Sequence, residues 1–228
     1  MRKLGILGGM SWESSALYYT WLNQEARRRL GGLSSAKVIL NSVEFAEVAR
    51  LQHDGNWTAL ETLLVQEARN LEAAGCELIL IATNTMHLLY EAICNAVNLP
   101  VLHIADGTGN ALQAGGYKLP LLLATAFTME KAFYRDRLSA NFGIDCLIPD
   151  HANRKETHRI IYEELCQGKI SQASKDFFEN LILATPEADS LILGCTELTM
   201  IIDSALSPVP LVDTTNLHVQ TAMDAMLA

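Results

Sequence analysis

Short apolar runs alternate along this chain with longer segments whose apolar residues recur every three or four positions. Residues 2–8, Lys37 to Val43, Leu78-Ile-Leu-Ile-Ala82 and Pro100-Val-Leu-His-Ile104 read as strands. Between them the spacing predicts helices over 12–30, 57–74, 85–97 and from about Asp106 to Gly115-Gly116. Ser11 and Asn56 stand where N-caps belong, and Gly31-Gly32 and Gly75 where helices stop. A second series follows. Strands are expected at Pro120–Ala124, Cys146-Leu-Ile148, Leu191–Leu193 and Val209–Val212. Helices are expected at 127–141, 154–166, 171–183, 198–206 and 214–227. Strands that are continuous apolar runs, each followed by a helix, predict an α/β protein with mostly parallel sheets.

The run that organises the second series is Leu191-Ile-Leu-Gly-Cys-Thr-Glu197. A buried strand ends on a glycine, and a thiol follows at the carboxyl end, where open α/β sheets place their ligands. A helix beginning there would favour the thiolate by its partial positive charge. The plainer reading of Cys195 is a buried, inert cysteine. The pattern occurs twice, since Leu80-Ile-Ala-Thr83-Asn-Thr85 matches Ile192-Leu-Gly-Cys195-Thr-Glu197. Pro100–Asp106 answers Pro208–Asp213, and Gly5–Met10 answers Leu121–Ala126, in the same order and at nearly one offset. Three matches in register imply two related halves. The expected domains are 1–104 with 214–228, carrying Thr83, and 105–213, carrying Cys195. If the halves face each other, these two residues stand on opposite walls of one cleft, an arrangement suited to inverting a stereocentre.

Composition narrows the partners. Of 228 residues half are apolar, enough for a full core, and no apolar run reaches the roughly 18 residues that span a bilayer. A formal net charge of −9 disfavours nucleic acid and anionic membranes. Arg27-Arg-Arg29, the basic cluster, reads as a solvated helix end. The five cysteines (Cys76, Cys94, Cys146, Cys166, Cys195) are odd in number and lack zinc-ligand spacing. With no signal segment recognised at Met1-Arg-Lys, free thiols and a cytoplasmic location are expected.

At Gly5-Ile-Leu-Gly-Gly-Met10, Thr83-Asn-Thr-Met-His87, Thr125-Ala-Phe-Thr-Met129 and Gly194-Cys-Thr-Glu197 the sequence resembles the cofactor-independent aspartate/glutamate racemase family. The resemblance runs through nearly the whole chain. It implies two similar α/β/α domains, a last helix returning to the first domain, a homodimer, an amino-acid substrate, and two thiols acting as acid and base with no pyridoxal phosphate or other cofactor. Residue by residue, it makes Cys195 the catalytic thiol of the L face. It makes Asn84, Thr85, Thr125 and Thr196 the hydrogen-bond donors for the α-carboxylate, and Met10 and Ser11 a loop lining the pocket. The chain departs from the family at Thr83, where a cysteine is usual, and at Met86, where a small residue is usual and a larger one would narrow the pocket.

That departure has a physical consequence. A thiol of pKa about 8.5 at a helix end is partly ionised near neutrality. Glu197 opposes this by charge, although residues two apart on a helix do not face each other. A hydroxyl whose acidity resembles that of water, about 15.7, costs roughly 10 kcal/mol more to ionise, so Thr83 is expected to donate a proton or anchor a water rather than act as base. For a side-chain carboxylate, Arg50 and Gln52 are candidate donors, with an exposed helix face as the alternative. His87 either orients a catalytic group or bonds within the core. His103 reads as a buried core histidine, and Asp106 and Asp213 as helix caps. No metal site is expected. Other activities compatible with one thiol are decarboxylation or cis-trans isomerisation of small dicarboxylates, and a non-catalytic amino-acid-binding protein is the alternative from another class.

Overall fold

Every strand pairs parallel with its neighbours, and the strands Leu4–Gly8, Leu78–Ile81, Leu121–Leu123 and Leu191–Leu193 are buried at every residue, so they are covered on both faces. The computed structural model describes residues 1–228. Contacts divide the chain into one unit of residues 1–104 with 218–228 and another of residues 105–217.

In the first unit β1 (Leu4–Gly8), β2 (Val38–Ser42), β3 (Leu78–Ile81) and β4 (Val101–Leu102) form a sheet of order β2-β1-β3-β4. Alternation sends Leu4, Ile6, Leu78 and Leu80 to one face, against Tyr18, Leu22 and Ala26 of α1 (Trp12–Leu30) and Val219, Ala222, Met223 and Met226 near the chain's end. Leu7, Ile79 and Ile81 go to the other face, against Leu60, Leu64, Ala68 and Leu71 of α3 (Trp57–Ala73). Each such leucine or isoleucine, removed completely from water, contributes about 1.5–3 kcal/mol. Gly5 admits α3 closely, since a Cβ there would lie 3.1 Å from Cys76 Sγ and 3.2 Å from Leu71 Cβ. The expected caps are present: Ser14 N–H donates to Ser11 Oγ and Ala59 N–H to Asn56 Oδ1. A helix not foreseen, α2 (Phe45–His53), is capped by Glu44, whose carboxylate accepts from the N–H groups of Ala46 and Glu47. The helix expected over 85–97 is instead a 3₁₀ segment, Thr85–Leu89, followed by α4 (Tyr90–Ala96).

In the second unit β5 (Leu121–Leu123), β6 (Leu191–Leu193) and β7 (Leu211–Asp213) form a sheet of order β5-β6-β7. The strand expected at 146–148 reduces to a single parallel bridge between Leu121 and Leu147. Counting that bridge, both sheets run in the same order, as the internal repeat implies. Helix α5 (Ile104–Gly115) starts two residues before Asp106, because Ile104 N–H finds an acceptor in His87 Nε2. Asp106 is therefore not a cap; it forms a bidentate pair with Arg137 at 2.6 and 2.7 Å. The helix expected over 127–141 breaks into α6 (Ala126–Glu130) and α7 (Ala132–Phe142), since Lys131 is extended. That expected over 154–166 becomes α8 (His151–Arg159), a wider π turn over Ile160–Glu164 and a 3₁₀ turn to Gln167. Helix α9 (Gln172–Leu183) is capped by Ser171, which was expected to be its first residue, and α10 (Thr214–Leu227) begins in this unit and ends in the first. Nor is the arginine cluster simply solvated: Arg28 and Arg29 bond Glu25, and Arg29 also pairs with Asp224 of α10. No helix is long and apolar enough to cross a membrane.

Three buried histidines of the first unit lie together. His87 contacts His103 and His218, and Tyr18 Oη lies 3.0 Å from His218 Nδ1. Burial first, and the neighbouring His87 second, hold His218 well below its ordinary value, against a contribution from the Leu102 backbone. In the second unit burial likewise lowers His158, opposed by Glu130. Folded, these imidazoles stay neutral; unfolded, they take protons below about pH 6.5. Stability is therefore expected to fall as pH drops through about 6.5. Urea midpoints measured at pH 7.5 and pH 5 should differ, and the difference should shrink in His218→Gln.

Candidate active site

At the end of β3 the chain leaves the sheet through Ala82, whose N–H donates to Leu7 C=O at 2.9 Å, and reaches Thr83, Asn84 and Thr85. Thr83 is partly exposed, while Asn84 and Thr85 are buried at 6 % and 5 %. The following 3₁₀ turn brings His87 back beneath this end, where its Nδ1 lies 2.8 Å from Thr83 C=O. Because Ile104 N–H donates to Nε2 at 3.1 Å, both contacts are satisfied by one neutral tautomer with the proton on Nδ1. His87 thus bonds within the core, as one of its two expected roles required, and does so through the Thr83 carbonyl. His103 is buried at 4 %, as expected. Met86 is 1 % exposed and packs in the hydrophobic cluster that holds Met10, Val48 and Leu51.

The loop after β1 is tightly tied. Gly9 has φ +88°, and a Cβ there would lie 2.3 Å from Val43 O. Gly9 N–H donates to Ser15 Oγ at 2.8 Å, and Ser15 Oγ–H donates to Ser11 C=O at 2.9 Å. Ser11 Oγ caps α1, and Met10 puts its side chain into the core. The two donors weighed for a side-chain carboxylate separate: Gln52 is buried at 6 %, whereas Arg50 lies on the exposed face of α2, 3.4 Å from Asp54.

In the second unit β5 and β6 run in register from Leu121↔Leu191 to Leu123↔Leu193, so Thr125 and Cys195 follow the ends of adjacent strands. Gly194 makes this possible: its N–H donates to Leu123 C=O at 2.8 Å, and a Cβ would lie 2.9 Å from Ala124 Cβ. Cys195 is extended (φ −153°, ψ 137°) and precedes one 3₁₀ segment, Thr196–Met200, rather than the expected longer helix. Since Cys195 lies outside the helical turn, Glu197 reaches back to it, against the expectation that residues two apart would not meet. Cys195 Sγ–H donates to Glu197 Oε2 at 2.8 Å, and Thr196 Oγ1–H donates to the same oxygen at 2.7 Å. Burial, then the charge of Glu197 and its hydrogen bond, raise the thiol well above its ordinary value. The partly ionised thiol expected from a helix end is thereby corrected: without ligand the proton stays on sulfur. Thr125 is buried at 7 % and precedes α6, with its Oγ1 3.4 Å from Thr128 Oγ1. Asp213 is a cap as expected, accepting from the N–H groups of Thr215 and Asn216.

Two residues here were not foreseen. The phenol of Tyr162 is raised by burial and then by the nearby Cys195, Cys166 and Glu197, and its ring lies 4.6 Å from that of His158. His158 Nδ1 in turn accepts from Ala126 N–H at 3.2 Å, beside Thr125. Tyr162 lies on the π turn, for which the regular periodicity of 154–166 gives no warning, and His158 just before it. All five cysteines are free, and no group of His, Cys, Asp or Glu is arranged to hold a metal.

The fold is an α/β one whose hydroxyl and thiol groups gather just past the carboxyl ends of its strands, where such sheets place their ligands. The sequence profile of the Asp/Glu/Hydantoin racemase family matches residues 7–222, and the chain belongs to that family; it is an isomerase. It is similar over its full length to the crystal structure of a putative Asp/Glu racemase from Yersinia pestis (44 % identity, TM-score 0.93, all of both chains covered). It is also similar to that of an aspartate racemase homologue from Pyrococcus horikoshii OT3 (31 %, TM-score 0.85, all of both chains). The broad specificity amino-acid racemase RacX of Bacillus subtilis (strain 168) is 26 % identical over 170 residues, 74 % of this chain and 73 % of that protein.

If the Glu197 charge contributes to holding Cys195 protonated, Glu197→Gln should shift the pH profile of Cys195 alkylation by iodoacetamide to lower pH, with faster labelling at fixed pH. Mass spectrometry of the Cys195 peptide checks this.

Proposed function

We propose that this protein interconverts the L- and D-enantiomers of aspartate or glutamate by cofactor-independent proton transfer at Cα. Cys195 serves the L face and Thr83 the opposite face. The observation that carries the reading is the Gly194-Cys195-Thr196-Glu197 strand end, with its sulfur in hydrogen-bond contact with a carboxylate. The racemase relatives reported above support the substrate class.

In this reading the substrate ammonium supplies the positive charge that the Cys195 environment lacks. Its arrival offsets Glu197, the thiol of the partly exposed Cys195 gives its proton to solvent, and the thiolate so formed then takes the α-proton of the L-enantiomer. Thr83, or a water held by it, gives a proton to the other face of the planar carbanion. Asn84, Thr85, Thr125 and Thr196 hold the α-carboxylate; the Thr196 hydroxyl, which without substrate donates to Glu197, turns its one proton to the substrate instead. Met10 and Ser11 contribute through the loop backbone. Gln52, a buried amide, meets the side-chain carboxylate; exposed and paired with Asp54, Arg50 has the weaker claim. The same reading makes the protein a homodimeric enzyme of the cytoplasm.

Free enantiomers are equal in energy, so asymmetry can appear in exchange but not at equilibrium. In heavy water L-aspartate should gain deuterium at Cα with retention faster than it inverts, while D-aspartate exchanges slowly. Cys195→Ala should lower L-exchange by about 10²–10⁴-fold, the usual contribution of a general base, and Thr83→Cys should raise exchange from the D side. Proton NMR with chiral analysis measures both. Equal exchange rates from the two enantiomers, or full activity in Cys195→Ala, would overturn the proposal.

A further inference from the structure

We infer that His87 is a positioning residue for Thr83, with its two ring nitrogens carrying separate duties. Nδ1–H holds the Thr83 carbonyl for catalysis, and Nε2 receives Ile104 N–H for the fold. This rests on the reading above that Thr83 serves one face of the substrate carbon.

The geometry leads there directly. Thr83 lies beyond the last hydrogen-bonded residue of β3, so the ladder no longer fixes its carbonyl. A carbonyl only accepts, so the 2.8 Å contact requires the proton on Nδ1, and the Ile104 amide at 3.1 Å requires a lone pair on Nε2. The ring is 2 % exposed, lies 4.6 Å from that of His103 and stacks on Tyr90 at 6.3 Å, so it cannot readily swing away. Fixing the Thr83 carbonyl fixes the plane of the Thr83–Asn84 peptide. Threonine is branched at Cβ and stiff at χ1, so the hydroxyl direction follows from the backbone. One imidazole therefore sets the direction of the Thr83 hydroxyl. Misplacement by about 1 Å at a reacting group can cost on the order of 10²-fold in rate.

Amide substitutions divide the two duties. Asparagine places an N–H near the position of Nδ1 and lacks the Nε2 acceptor. Glutamine places a carbonyl near Nε2 and lacks the Nδ1 donor. In heavy water two rates are followed with L-aspartate: exchange with retention, which needs Cys195, and inversion, which also needs Thr83. His87→Gln should slow inversion about tenfold or more while retention exchange stays within about twofold. His87→Asn should restore inversion to within about threefold of the unsubstituted enzyme while being the less stable variant in urea. Parallel loss of both rates, or equal loss of inversion in both variants, would reduce His87 to a structural residue. A Thr83→Ala enzyme that inverts at full rate would instead remove the parent reading, and this inference with it. A measurement independent of any substitution is the long-range ¹H–¹⁵N spectrum of the intact protein. His87 should appear as the Nδ1–H tautomer between pH 6 and 8, and an Nε2–H tautomer would overturn the assignment.

Discussion

Burial of both faces of each sheet is the constraint from which the remainder follows. A parallel strand covered on two sides has no position along its length where a polar side chain can reach water or substrate. Leu78–Ile81 and Leu191–Leu193 are accordingly apolar at every residue. Chemistry is pushed to the residues just past the strand ends, where backbone groups leave the ladder and need new partners. The short 3₁₀ segments at Thr85–Leu89 and Thr196–Met200 are the local answer. Each turns tightly enough to bring a polar side chain, His87 or Glu197, back toward the residue at the strand end.

The two ends are alike in backbone and different in electrostatics. Thr83 is held through its main chain by a neutral imidazole, which adds no net charge. Cys195 is held through its side chain by an acid, which disfavours the sulfur anion. A thiol thus restrained is not ionised by its own surroundings, and in the proposed reaction the substrate's ammonium is the cation that offsets the carboxylate. The restraint also protects the enzyme, since thiolates rather than thiols are the species that oxidise and alkylate. Cys146 is protected chiefly by burial, which, with the charges of Asp145 and Asp189 adding and Arg135 opposing, pushes it up to about 12.

Much of this was legible from residue order. The apolar runs located nearly every strand, because burial on two faces leaves a continuous signal. Ser11, Asn56 and Ser171 marked true helix starts, because a side-chain oxygen at the first free amides is a local interaction. The expectations that failed were those in which a distant group replaced a local one. Asp106 lost its capping role because His87, 19 positions earlier, supplies the acceptor for Ile104, and Arg137 takes the carboxylate. Residues 146–148 shrank to a bridge, and the 154–166 helix unwound into a π turn that no periodicity records. The places of Thr83 and Cys195 just past the ends of β3 and β6 could be read; the sulfur–carboxylate contact could not, since it depends on Cys195 being extended rather than helical. Gln52 and Arg50 looked equivalent in the sequence and separate only once α2 is seen to bury one side and expose the other.

Helix α10 has a bearing on how the chain is made. The second unit is one uninterrupted stretch, residues 105–217, whereas the first needs residues 218–228 to cover Leu4, Ile6, Leu78 and Leu80. During synthesis residues 1–104 therefore emerge with one sheet face covered only in part, by α1, and the later stretch can complete its own core while that face still awaits Val219, Ala222, Met223 and Met226. Order of emergence and order of completion are reversed, so the first-made unit keeps apolar surface exposed until residues 218–228 have been added.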